Sequence, residues 1–122
     1  MIPYEPGDVL LVRFPFTDLT TTKRCPMVVV SSSAFSSRYG DVVGLALSSY
    51  QQEDTALALE DWQVAGLVKP TWIKPLVATL ASTAVDRRLG SLSKQDRKRV
   101  GDALRAIFAP EFLTIRENDM AV

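Results

Sequence analysis

The chain has no histidine and a single cysteine, Cys25. Without imidazole, two-histidine RNA cleavage, Ser-His-Asp hydrolysis and any histidine-ligated metal centre are excluded. One cysteine closes no intramolecular disulfide and builds no zinc site, so folding needs no oxidising compartment and a reducing cytoplasm is the expected setting. An excess of one charge is also missing. Fourteen Lys+Arg balance 14 Asp+Glu for a formal net charge of +0, so any contact with a polyanion must be local. No apolar run reaches the length of a membrane span, and Met1-Ile2-Pro3-Tyr4-Glu5-Pro6 lacks the basic start and apolar core of a signal peptide. These features predict a soluble protein with no membrane contact.

At 122 residues, 47% of them hydrophobic, residues 1–122 fit one globular domain with a modest core. Short apolar, β-branched runs separated by turn-rich segments predict strands at 8–14, 26–32, 41–48, 55–59, 67–74 and 77–80. Ser31 to Ser37 reads as a strand end running into a turn. A C-terminal helix follows: Ser93 caps it, Asp96 sits at the capping-box offset, and Val100, Ala103, Leu104, Ile107 and Phe108 share one face until Pro110. The pattern is a mainly β, α+β fold of the small-barrel or sandwich kind. Residues 86–105 hold seven basic side chains against three aspartates. Those on the helix read as a solvated outer face, and no RNA binding is assigned to them.

The most informative stretch is Gly7 to Val30. There Gly7-Asp8-Val9-Leu10-Leu11-Val12 leads to a polar loop carrying Lys23-Arg24-Cys25-Pro26, then to Met27-Val28-Val29-Val30. Further on come Asp41-Val42-Val43-Gly44-Leu45-Ala46-Leu47-Ser48-Ser49, Gly66-Leu67-Val68-Lys69-Pro70-Thr71 and Leu89-Gly90-Ser91-Leu92-Ser93. In this order and spacing, over about residues 5–108, the chain resembles the MazF/PemK family of toxin endoribonucleases. The resemblance implies an SH3-like barrel with appended helices and the toxin role of a type II toxin–antitoxin pair. It further implies a homodimer, a single-stranded RNA substrate, a cognate acidic antitoxin as partner, and no cofactor or metal.

RNA is cut without metal when its own 2′-OH attacks the adjacent phosphorus and expels the 5′-oxygen, leaving a 2′,3′-cyclic phosphate and a 5′-OH. The protein must stabilise charge on the non-bridging oxygens and assist two proton transfers. The resemblance assigns this to an arginine before the proline and a hydroxyl at the end of the third strand. Ser48 holds the hydroxyl position, with Ser49 beside it. The arginine position holds Cys25, with Arg24 one place earlier. Adjacent side chains of an extended strand point to opposite faces, so Arg24 reaches the same site only through a twist or bulge.

Three accounts of Cys25 stand side by side. Arg24 takes over the role; or the chain is a weakened or inactive relative that still binds antitoxin or RNA; or residue 25 carries a loss-of-function change, which needs one base. Arg13, Thr17, Lys23, Ser49, Lys69 and Lys74 are the candidates for binding RNA, Lys69 and Lys74 through flanking phosphates. Phe14, Phe16, Trp62 and Trp72 are read as core or dimer contacts.

Overall fold

The computed structural model describes residues 4–14 and 23–113. Thr17 and Phe16, and the side chain of Phe14, lie outside the described residues. The described residues form five antiparallel strands: β1 (Asp8–Phe14), β2 (Lys23–Val29), β3 (Asp41–Ser48), β4 (Trp72–Ala81) and β5 (Val85–Ser91). They lie in the order β4-β3-β2-β1-β5. Two α-helices are appended, α1 (Ser33–Tyr39) and α2 (Lys94–Ile107). The expected class, mainly β with appended helices including a C-terminal one, is borne out.

Alternation along the strands builds two cores. Val9, Val28, Leu45, Leu47 and Ile73 bury one face of the sheet together with Leu59 and Ala65 of the β3–β4 connection and Val100 and Ala103 of α2. Their strand neighbours Leu10, Met27, Val29 and Val42 bury the other face with Val12 and Leu80. The side chain of Met27 passes over Gly44, filling the space where a Cβ would stand.

Several elements differ from the sequence reading. β1 and β3 fall where expected. β2 begins three residues before the predicted strand, because Lys23 to Pro26 pair with β1 rather than forming a loop: Arg13 faces Arg24, Val12 faces Cys25 and Leu11 faces Pro26. Pro26 is tolerated because pairing with β3 starts only at Met27, so its missing N–H interrupts no ladder there. Residues 55–59 are not a strand; Thr55–Leu57 is a 3-10 turn capped by Asp54, and only Ala58 bridges to Trp72. Residues 67–71 of the predicted strand 67–74 belong to the connection before β4; the remainder of it and the predicted strand 77–80 are one strand, β4, with a register shift opposite Leu45 to Leu47 that absorbs Pro75. β5 has no counterpart in the prediction. Its Asp86-Arg87-Arg88 run hid it, yet charge suits a strand at the sheet edge. Of residues 31–37, Ser33 onward belong to α1, capped by Ser32 at its start and by left-handed Gly40 at its end.

The 23-residue connection between β3 and β4 carries little regular structure but is fixed at several points. Fully buried Asp96 does not complete a capping box. Instead its two carboxylate oxygens accept hydrogen bonds from the backbone N–H groups of Glu60 and Asp61, each 2.9 Å. Ser93 Oγ accepts from Asp96 N at 3.2 Å and so caps α2. Arg99 donates to the carbonyls of Thr55 and Ala56 and pairs with Glu60. Further along, left-handed Gly66 (φ 82°) lies so close to β5 that an added Cβ would stand 2.1 Å from the Leu89 carbonyl oxygen. A Cβ on Gly90 would meet the Ala65 carbonyl at 2.6 Å. The two glycine motifs noticed separately in the sequence therefore meet backbone to backbone.

Two stability predictions follow from these contacts. Asp96→Ala strands two backbone donors and should cost about 3 kcal/mol in urea unfolding; a loss under about 1 kcal/mol would show that the connection is held without it. Gly66→Ala and Gly40→Ala both force a left-handed alanine, at about 1 kcal/mol each, but Gly40 faces open space. Gly66→Ala should therefore destabilise by at least about 2 kcal/mol more than Gly40→Ala, and equal midpoints would refute the close approach.

Candidate nucleic-acid interface

The β1–β2 ladder runs without a register shift from Lys23 to Val28. Adjacent side chains therefore leave opposite faces of β2 throughout this stretch. Lys23, Cys25 and Met27 belong to one face; Arg24, Pro26 and Val28 belong to the other. Cys25 is half-buried against the core of Leu10, Val12 and Met27.

The position of the two serines follows from the same rule. Met27 faces Ala46 and Val28 faces Leu45. Continued past the last pair, that register sets Cys25 across from Ser48 after two residues and Arg24 across from Ser49 after three. Cys25 and Ser48 thus share a sheet face, as the arginine and hydroxyl positions of the resemblance require, while Arg24 is on the face of Ser49. No bulge redirects it. Ser48 is half-buried, faces Trp72 across β3–β4, and its Oγ accepts a hydrogen bond from Tyr50 N at 3.1 Å. Its own proton remains available to a ligand. Lys23 is exposed on the Cys25 face, and exposed Lys74 stands two residues beyond Trp72.

Arg24 is engaged elsewhere. Its guanidinium lies 3.4 Å from Asp86 of β5, and Arg13 of β1 reaches the other oxygen of the same carboxylate at 3.8 Å. Both arginine side chains are more than half exposed, so each pair is worth at most about 1 kcal/mol and yields readily to a stronger anion. Beside this trio is a cleft of about 280 Å³. Its apolar lining includes Leu11, Pro26, Leu67 and Leu89. Ser49, Lys69, Thr71 and Arg87 supply its polar groups, and Thr71 Oγ1 donates to the Lys69 carbonyl at 2.9 Å.

The candidates from the sequence thus divide between two faces. Arg13, Arg24, Ser49 and Lys69 gather around the cleft and the Asp86 carboxylate; Lys23, Cys25 and Ser48 lie on the reverse. Sequence reading missed Arg87 and Asp86, which it grouped with the basic stretch running into α2. Arg87 faces Leu11 of β1 between two register shifts and lines the cleft with Leu89, a placement that no regular alternation in Asp86-Arg87-Arg88 signals. Several others of that stretch are engaged in structure: Arg97 donates to the carbonyls of Leu92 and Pro6 and to Ser91 Oγ, and Arg88 pairs with Asp8. Trp62 packs against the core.

No helix among the described residues is long and apolar enough to cross a membrane. No curated protein matches the chain in sequence. Solved structures do match it in fold. An endoribonuclease in complex with its cognate antitoxin, from a mycobacterial species, superposes with a TM-score of 0.69 at 16% identity, covering 85% of this chain and 93% of that one. The Mycobacterium tuberculosis toxin MazF-mt6 gives 0.68 at 14% identity, with coverages of 83% and 95%. A MazE-MazF structure from Deinococcus radiodurans gives 0.68 at 14% identity, with coverages of 89% and 98%. At these identities the likeness carries the fold alone. The family profile described as "PemK-like, MazF-like toxin of type II toxin-antitoxin system" matches residues 5–108, and with most of its length accounted for in this way the chain belongs to that toxin family.

Proposed function

We propose that this protein is the toxin of a type II toxin–antitoxin pair, acting in the cytoplasm as a homodimer that cuts single-stranded RNA without a metal and is held in check by an acidic antitoxin. The observation that carries the reading is the register that brings residues 25 and 48 to one face of a sheet matched by the toxin profile over residues 5–108. In this scheme the 2′-oxygen bonds to phosphorus as the P–O5′ bond breaks. The 2′-OH proton passes to solvent water, and water returns one proton to the departing 5′-oxygen. Ser48 donates its hydroxyl proton in a hydrogen bond to a non-bridging oxygen. Lys23, on the same face, supplies positive charge, but as a single ammonium rather than a planar fork that grips two oxygens at once.

A second reading is favoured by one observation. Cys25 brings no charge to the Ser48 face, and Arg24 is bound to Asp86 on the other. The chain as written is then a slow nuclease or a module that binds without cutting.

Expression of the protein as written and as Cys25→Arg separates the two. An arginine at this half-buried position lays its stem along the rim of the core and its head toward Ser48, and should raise the yield of 2′,3′-cyclic phosphate ends by on the order of 10²-fold. Growth arrest only after this change supports a site silenced at residue 25. Equal arrest by both shows that the natural chain already has its cation, and arrest by neither removes the nuclease reading. In the active form, Ser48→Ala should lower cleavage on the order of tenfold or more without moving the thermal midpoint; undiminished cleavage would take Ser48 out of the site.

A further inference from the structure

The cleft on the reverse of the Ser48 face is built differently from the site just described. Its apolar floor is bounded by two cations from different elements, Lys69 from the β3–β4 connection and Arg87 from β5. Neither side chain forms a hydrogen bond or ion pair with another described residue, whereas Arg13 and Arg24 nearby share Asp86. Four basic side chains against one carboxylate give this face a local charge of about +3 in a chain whose formal net charge is +0. Val68, at the edge of the cleft, is 89% exposed, an uncovered apolar surface next to Lys69.

An apolar slot flanked by cations matches one unstacked nucleobase with a phosphate on each side. A base has a flat face that gains from apolar contact, edges that hydroxyls such as that of Ser49 can read, and a charge on either side of its ribose. At about 280 Å³ the volume sits at the small end of the roughly 300–1,000 Å³ typical of ligand pockets, room for one nucleotide rather than two. The cleft is also rigid where it matters. Gly66 lies in its wall and is pressed against the Leu89 carbonyl.

We propose that this cleft is a specificity-determining subsite: it holds one base of the single-stranded RNA, with Lys69 and Arg87 on the flanking phosphates, and takes no part in bond breaking. The assignment rests on the ribonuclease reading above and deepens it. Ser48 and Ser49 are consecutive at the end of β3, so a strand rounding that end of the sheet meets the hydroxyl of the chemical site on one side and the cleft on the other. An acidic peptide would find the same charges but leaves the flat apolar slot without a purpose.

The test measures fluorescence anisotropy of a short, non-cleavable 2′-O-methyl RNA pool on the full chain and its variants. Arg87→Ala and Lys69→Ala should each weaken binding about tenfold at low salt, each flattening the log–log salt dependence by about 0.7. Arg87→Lys should recover most of the loss. Ser49→Tyr occupies the slot without changing charge. It should weaken binding about tenfold and change the base preference among bound sequences, with an unchanged thermal midpoint showing that the domain is intact. RNA binding by the natural chain that all these variants leave unaltered overturns the cleft assignment while the ribonuclease reading stands. Failure of the natural chain to bind RNA overturns both. Loss of binding to an acidic peptide in these variants, with RNA binding retained, replaces the subsite with a protein-docking surface.

Discussion

The approach of Gly66 to the Leu89 carbonyl, reciprocated by Gly90 against Ala65, is the constraint on which the arrangement of the molecule turns. It ties a long connection with almost no regular structure to the edge strand of the sheet, and it does so through backbone, where no rotamer change can relieve a misfit. Asp96 performs a complementary task a few residues earlier by accepting both N–H groups at Glu60 and Asp61. Between them these contacts decide where Leu67, Val68 and Lys69 lie relative to Arg87. A segment that would otherwise sample many conformations is delivered as one wall of a cleft, with its entropy of ordering offset by Leu59 and Ala65 buried in the core.

The balance of charge has a structural logic. Most of the basic residues between 86 and 105 satisfy carbonyls or carboxylates close by: Arg97 ties the N-terminal segment to the start of α2, Arg99 secures the turn at Thr55, and Arg88 meets Asp8. What remains among them is Arg87 at the cleft, apart from Lys94 and Lys98 on α2. This is how a chain with no net charge carries a cationic face at all, and it explains why counting lysines and arginines along the sequence marked residues 86–105 as one basic stretch without separating Arg87 from α2.

Legibility from the sequence followed the chemistry of each segment. β1 and β3 were readable because Val9 to Val12 and Val42 to Leu47 are nearly unbroken apolar runs, buried on both faces of a central sheet. β5 and the first half of β2 were not, because Asp86-Arg87-Arg88 and Lys23-Arg24 turn charges outward at an edge or where pairing is one-sided. The 55–59 segment looked like a strand from Ala56 to Leu59, but Asp54 caps the backbone into a 3-10 turn first. The candidate positions could be named as residues, since the motifs around Cys25 and Ser48 are local. Their division between two faces was not visible, because it depends on whether β2 contains a bulge, and no residue in Lys23 to Val28 announces one.

The unbroken pairing of β2 has a consequence for how such a protein changes over time. A guanidinium at position 24 and one at position 25 differ by a single step along the chain yet belong to separate compartments of the molecule, divided by the thickness of the sheet. No lengthening or bending of the side chain carries charge across that divide. Only an odd-numbered insertion or deletion between Lys23 and Pro26 would, and it would drag every neighbour to the wrong side with it. Exchange of residue 25 itself is therefore the short route, in either direction, between a sheet that presents a fork of donors beside Ser48 and one that does not.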